Sequence, residues 1–230
     1  MIFAPSLILG TIYFFTGFAQ PPVPSILLFF LLAMPMFLFQ IVVILKESKN
    51  TFGSYSLKSA FNNYEKMPFG KILIYAVVLF AFAGIMSVTI TPLENELFSH
   101  LRENLNQITP EYFNWNNLEN IKQYSSSVVA VTCIVYFLFN VFIFPIVEEL
   151  FFRGYLTSKI NRLGFYAPLI ITMLFSLYHF WLPFDNIFRI FAFFPAAFIA
   201  WKKKNIYIVI VFHCLCNLFS TVSFIIAVYS

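Results

Sequence analysis

The chain has 230 residues, of which 60% are hydrophobic, 21% aromatic and only 10% charged, with a formal net charge of +4. A mean hydropathy of +0.83 excludes an ordinary soluble domain and fits a polytopic membrane protein. Three cysteines, Cys133, Cys214 and Cys216, all in apolar stretches, give neither an even disulfide framework nor a Cys-x-x-Cys metal spacing.

A bilayer core of about 30 Å takes roughly 20 apolar residues as a helix. On that ruler seven spans are expected in an all-α, single-domain bundle over 1–230: about 2–19, 26–45, 71–91, 128–158, 164–183, 186–201 and 205–229. The first has neither the basic region nor the small-residue cleavage site of a secretory signal and reads as a retained span. QPPVPS separates it from the second, because prolines cannot continue a helix. The fourth is too long for one simple crossing, so its inner end is expected to project past the hydrocarbon. The sixth is short and holds Arg189 and Pro195, which predicts a tilted, kinked or partly inserted helix.

Orientation comes from the loops. Residues 46–71 hold Lys46, Lys49, Lys58, Lys66 and Lys71 against Glu47 and Glu65; Lys159 and Arg162 lie between spans four and five, and Lys202, Lys203 and Lys204 between six and seven. The positive-inside rule makes these ends cytoplasmic, with the N-terminus inside a plasma membrane crossed several times. The acidic segment 92–127, with Glu94, Glu96, Glu103, Glu111 and Glu119, is then an outer loop. Within it Leu93, Leu97, Leu101 and Leu105 recur every four residues and predict an amphipathic interfacial helix; His100 reads as a solvated surface residue. The basic residues hug the membrane in short loops, which argues for the lipid surface and against nucleic acid as a partner.

Spans four, five and seven carry the chemistry. In FPIVEELFFRGYL, Glu149 and Arg153 are four apart; so are Phe175 and His179 in FSLYH, and His213 and Asn217 in HCLCN. Four residues is just over one helical turn, so each pair shares a face, whereas Glu148 lies about 100° around from Glu149. At ~1.5 Å per residue, Glu148 and Glu149 lie roughly 17 Å from the inner end, His179 roughly 22 Å, His213 about 12 Å and Asn217 about 18 Å. Ionised groups at such depth are costly and are usually paired or functional. Taken singly, the ion pair, each histidine and Asn217 have structural readings as helix–helix contacts. Together, two carboxylates, a guanidinium, two imidazoles and an amide at matched depth supply a general base, a charge partner and oxyanion donors for water attack on a carbonyl. Glu149, in register with Arg153, reads as the charge-paired group and Glu148 as the base. Helix rotation is not set by the sequence, so the reverse assignment stays open at this point.

The set EELFFR, FSLYH and HCLCN resembles the three motifs of the CAAX prenyl protease type II family, also called the CPBP or Abi family: Glu-Glu-x-x-x-Arg, Phe-x-x-x-His and His-x-x-x-Asn. The resemblance covers about 128–220, leaving the spans of 1–91 and the loop 92–127 as accessory parts. It implies an all-helical intramembrane endopeptidase acting on a membrane-associated peptide or protein, either CAAX-type trimming or the peptide maturation and bacteriocin immunity linked to bacterial relatives. By the same resemblance Glu148 activates water held by His179, while His213 and Asn217 donate to the oxyanion, without a cofactor. Zinc on two histidines and one glutamate is the rival chemistry, but the chain has no His-Glu-x-x-His pair and Asn217 is a poor zinc ligand. A non-catalytic scaffold or immunity protein binding a sensor kinase or toxin receptor is the alternative class; a transporter lacks a supporting inverted repeat. The Arg153 end of its helix points to a cytoplasmic entrance.

Overall fold

The computed structural model describes Thr11 and residues 22–61, 64–108, 117–179, 182 and 184–230. The span expected at 2–19 therefore lies outside the described residues, Thr11 apart. The described chain is helical throughout, without strands: α1 (Ser25–Phe52), α2 (Phe69–Leu97), α3 (Ser99–Ile108), the short α4 (Glu119–Lys122), α5 (Ser126–Lys159), α6 (Tyr166–Tyr178), α7 (Asn186–Lys202) and α8 (Tyr207–Tyr229). In a bilayer, backbone polar groups must be satisfied within the segment, which leaves the helix as the only open choice for these apolar runs.

Helices α1, α2, α5 and α8 are each long and apolar enough to cross a membrane, which makes this an integral membrane protein. The fifth and sixth expected spans are shorter, with α6 at 13 residues and α7 at 17. Ile74, Val78, Ile85 and Val88 on α2 are more than half exposed, as apolar side chains facing lipid should be. Helix starts and stops follow local chemistry. Pro24 and Pro68 precede α1 and α2, and Gly53, at φ 77°, ends α1 in the left-handed conformation with its N–H on the Lys49 carbonyl.

The third expected span does not stop at residue 91. Helix α2 continues through Pro92 to Leu97, so Glu94 is a helical residue rather than part of a loop. It is 2% exposed, and its two carboxylate oxygens accept the backbone N–H groups of Ile187 (2.7 Å) and Phe188 (2.8 Å). These are orphan donors of the first turn of α7, so a carboxylate from α2 caps a helix that follows some 90 residues later. The predicted amphipathic helix survives only in part, as α3.

Helix α5 is not a uniform α-helix. Its Phe139–Ile143 and Leu150–Leu156 stretches are π-helical, flanking the α-helical Phe144–Glu149. Pro145 has no N–H to return to the carbonyl four residues back, which accounts for the first widening. At the second, Thr157 Oγ1 donates to the Phe152 carbonyl at 2.9 Å. Around this helix the core is largely aromatic: Phe144 stacks on Phe37 of α1 at 3.7 Å between ring centres, and Phe152 meets Phe175 and Tyr178 of α6 edge-on. α2 and α7 pack together, α2 also against α8, and α7 against α6. At the lysine-bearing end, Lys204 pairs with Glu65 at 2.8 Å and Lys159 with Glu47.

Gly154, beside Arg153, marks a close approach of α5 to the 58–61 turn. A Cβ there would lie 2.4 Å from the Ala60 carbonyl oxygen, a backbone atom that cannot swing aside. Gly154→Ala should destabilise the fold by about 1–3 kcal/mol through overpacking. The midpoint of thermal unfolding in detergent should fall by several degrees, and an unchanged midpoint would contradict the close approach.

Candidate active site

Glu148 and Glu149 end the α-helical stretch of α5, and Arg153 lies in the π-helical turn that follows. In such a turn hydrogen bonds reach five residues back, so positions four apart fall just under one turn and stay on one face. Arg153 Nη1 donates to Glu149 Oε1 at 3.1 Å. The same oxygen accepts His213 Nδ1 of α8 at 2.8 Å. Glu149 is fully buried, and Arg153 and His213 nearly so. The three form a chain of charge-assisted contacts that cancels a carboxylate and a guanidinium out of reach of water.

Aromatic faces hold the guanidinium in place. Arg153 lies over the Phe175 ring at 3.8 Å and over Phe193 at 5.6 Å. Phe193 also packs edge-on against the His213 ring at 4.9 Å. The motif phenylalanine is therefore a platform for the motif arginine, a role its spacing to His179 does not reveal.

Glu148 stands apart from this chain. It is 4% exposed and makes no ion pair shorter than 3.8 Å among the described residues. Its carboxylate faces His179 Nε2 at 3.8 Å and His213 Nε2 at 4.0 Å, both too long for a direct hydrogen bond. His179 follows the last residue of α6, and its Nδ1 lies 2.8 Å from the Phe175 carbonyl. A carbonyl only accepts, so Nδ1 carries the proton and a neutral ring presents an acceptor at Nε2 to Glu148. By the same logic His213 spends its Nδ1–H on Glu149.

Asn217 lies one turn beyond His213 and donates Nδ2 to the Asn140 carbonyl at 2.8 Å, in the first widened turn of α5. The side chain of Asn140 in turn donates to Thr221 at 2.9 Å. One of the two N–H bonds of Asn217 is thus committed and the other is not. A cavity of about 310 Å³ joins Glu148, His179, His213, Asn217, Asn140 and Arg189, between walls of phenylalanine. Among the described residues, no group of three His, Cys, Asp or Glu is arranged to hold a metal ion.

The six predicted site residues thus divide between two environments: Glu148, His179, His213 and Asn217 line the cavity, while Glu149 and Arg153 lie behind it. The cavity also runs the other way from the entrance expected at the Arg153 end. Asn140, Asn217 and Ser220 lie on the side of Glu148 and His213 away from Lys159 and Lys202–Lys204 along their helices, and Leu182 lies beyond the end of α6. The reason is the Arg153 layer, which with Phe175 and Phe193 closes the lysine side. Beyond it a separate cavity, also about 310 Å³, is lined by Arg153, Trp201, Lys202 and Lys204 and does not include Glu148. Asn140 and Arg189 were not expected in the site. Arg189 was readable in principle as an intramembrane charge, whereas Asn140 acts through its backbone carbonyl, which leaves no mark in a sequence.

A helical membrane bundle with paired carboxylates and imidazoles around a buried cavity defines a class: polytopic membrane proteins with a buried acid–imidazole centre. Residues 130–219 match the family model described as type II CAAX prenyl endopeptidase Rce1-like. No curated protein and no solved structure matches the chain.

Arg153→Ala strands Glu149 as a buried charge held only by His213, and should destabilise the protein by about 3–5 kcal/mol. Replacing both partners, as Glu149→Gln with Arg153→Met, should recover a large part of that loss, because no unpaired charge remains. Unfolding in detergent measures both variants; a double variant no more stable than Arg153→Ala would contradict the pairing.

Proposed function

We propose that this protein is an intramembrane endopeptidase that hydrolyses a peptide bond of a membrane-associated peptide or protein, with Glu148 as the base that activates water. The observation that carries the reading is the contrast between two adjacent buried glutamates. Glu149 is engaged through Oε1 by both Arg153 and His213, whereas Glu148 faces the cavity without a committed partner among the described residues.

The Glu148 carboxylate takes one proton of a water whose second O–H is held by His179 Nε2, an acceptor because its Nδ1–H is on the Phe175 carbonyl. The water oxygen bonds to the scissile carbonyl carbon and the carbonyl becomes an oxyanion. The uncommitted N–H of Asn217 donates to that oxyanion; so does His213 Nε2 when its ring is doubly protonated, a form the Glu149 carboxylate stabilises. Glu148 returns its proton to the leaving nitrogen as the C–N bond breaks, giving a carboxylic acid and an amine. Asn140 fixes the Asn217 amide, and Phe175 fixes both Arg153 and His179.

No cofactor is part of this proposal, and zinc is its rival. With the lysine-rich ends cytoplasmic in a plasma membrane, substrate enters the cavity from the opposite, acidic-segment side, and the bundle is a single functional unit whose chemistry sits in about 128–220. CAAX-type trimming and peptide or bacteriocin-linked maturation are the substrate classes drawn from the family name and the motif resemblance.

Purified protein incubated with quenched peptides in detergent should cleave them in the presence of a strong chelator. The near-isosteric Glu148→Gln should lose activity by at least about 10²–10⁴-fold while keeping its unfolding midpoint. Loss of wild-type cleavage on chelation, or a fully active Glu148→Gln, would overturn the mechanism.

A further inference from the structure

Arg189 is the one charged residue among those described as lining the cavity that the proposed reaction does not use. It sits in the first turn of α7, is 8% exposed, and borders the same space as Glu148. A cation there is doubly disfavoured, by loss of water and by the positive end of the helix dipole. Yet Arg189 has no carboxylate within 4.0 Å among the described residues. Its side-chain hydrogen bonds among the described residues are two long ones, Nη1 to the Ser176 carbonyl and to Asn186 Oδ1, both at 3.4 Å.

The carboxylates whose charge reaches it are Asp185, Glu148 and Glu94. Two of the three are engaged elsewhere. Asp185 Oδ1 is held by Arg102 Nη2 at 3.2 Å, and Glu94 spends both oxygens on the amides of Ile187 and Phe188. The third, Glu148, is the proposed base and is not in contact with the guanidinium. A buried guanidinium whose Nε and Nη2 have no acceptor among the described residues, lining a cavity built to take a ligand, calls for an anion that the ligand itself brings. The geometry of its planar fork matches a carboxylate held by two parallel N–H bonds.

We propose that Arg189 forms a carboxylate-binding subsite of the Glu148 cavity, so that the peptides this protein cuts present a carboxylate beside the scissile bond. This rests on the endopeptidase reading above. The carboxylate comes from the C-terminus of the peptide or from an Asp or Glu side chain, and one set of peptides separates the two. Arg189 then sets specificity, while the proton transfers stay with Glu148.

The test uses the full-length protein in detergent and a quenched peptide that the wild type cleaves. The peptide is made as the C-terminal acid, as the C-terminal amide, and as the amide with a single Glu or its Gln counterpart near the scissile bond. Binding of labelled versions to the inactive Glu148→Gln protein is followed by fluorescence anisotropy, so recognition is read without catalysis. A carboxylate-bearing form should bind about tenfold or more tightly than its neutral twin. Whichever twin pair carries that ratio identifies the source. Adding Arg189→Gln should collapse the ratio to near one, and Arg189→Lys, which keeps the charge and loses the fork, should leave an intermediate ratio with the fold intact. An acid preference indifferent to Arg189→Gln overturns the proposal, as does no preference for any carboxylate. So does an Arg189→Gln variant of the active protein that loses the same fraction of kcat on acid and amide with no change in KM, which would make Arg189 a counter-charge to Glu148. Wild-type protein that cleaves no peptide, while the Glu148→Gln protein still binds acids through Arg189, would sink the endopeptidase reading and leave the subsite standing.

Discussion

A guanidinium and a carboxylate cannot be left alone in a region without water, and the centre of this bundle is organised around that constraint. Arg153, Glu149 and His213 meet at one oxygen, Glu149 Oε1, in a single chain of contacts at 3.1 and 2.8 Å. Breaking such a chain on one side strands a charge, which costs far more than never having built it. The chain joins α5 to α8, and the stacking of Arg153 on Phe175 adds α6. It also decides which nitrogen of His213 holds its proton. The partners of one buried pair thereby fix the relative positions of three helices and the tautomer of a cavity-lining side chain.

The same chain separates the two glutamates chemically although they are neighbours in sequence. Glu149 receives Arg153 and His213; Glu148, turned about 100° away on the helix, receives neither. Two identical side chains in different environments are thereby assigned different tasks, a division familiar from acid–base pairs in general. The widened turns of α5 serve this arrangement. One offers the Asn140 carbonyl to Asn217, and the other carries Arg153 back under Glu149. Departures from regular helix geometry thus fall where side chains of α5 must meet those of α6 and α8.

Much of this was legible in the chain because intramembrane polar residues are scarce. The segments EELFFR, FSLYH and HCLCN stand out against apolar surroundings, and helix rise alone brings them to similar depth. The segment bearing those motifs is also the one that matches the Rce1-like family model. The all-helical class follows from hydropathy in the same direct way. Features that join residues distant in sequence were not legible. Glu94 looked like one more charge of an acidic loop, yet it caps α7, because only the packing of α2 against α7 brings it there. The side on which the cavity lies was misjudged for a related reason: the Arg153 layer seals the lysine end through aromatic rings from α6 and α7, and periodicity within α5 carries no record of them. Arg189 registered only as an irregularity of a short span, since its meaning depends on neighbours already committed elsewhere.

The central claim is that Glu148 acts on water and does not itself attack the carbonyl. Single-turnover cleavage in ¹⁸O-labelled water, with excess protein over a quenched peptide, tests it directly by mass spectrometry of the new peptide terminus and of the protein fragment containing residue 148. The account predicts one ¹⁸O in the new carboxylate in the first turnover and an unlabelled Glu148. An unlabelled product with ¹⁸O in the Glu148 carboxylate would mean a covalent acyl intermediate on that side chain, and would contradict it.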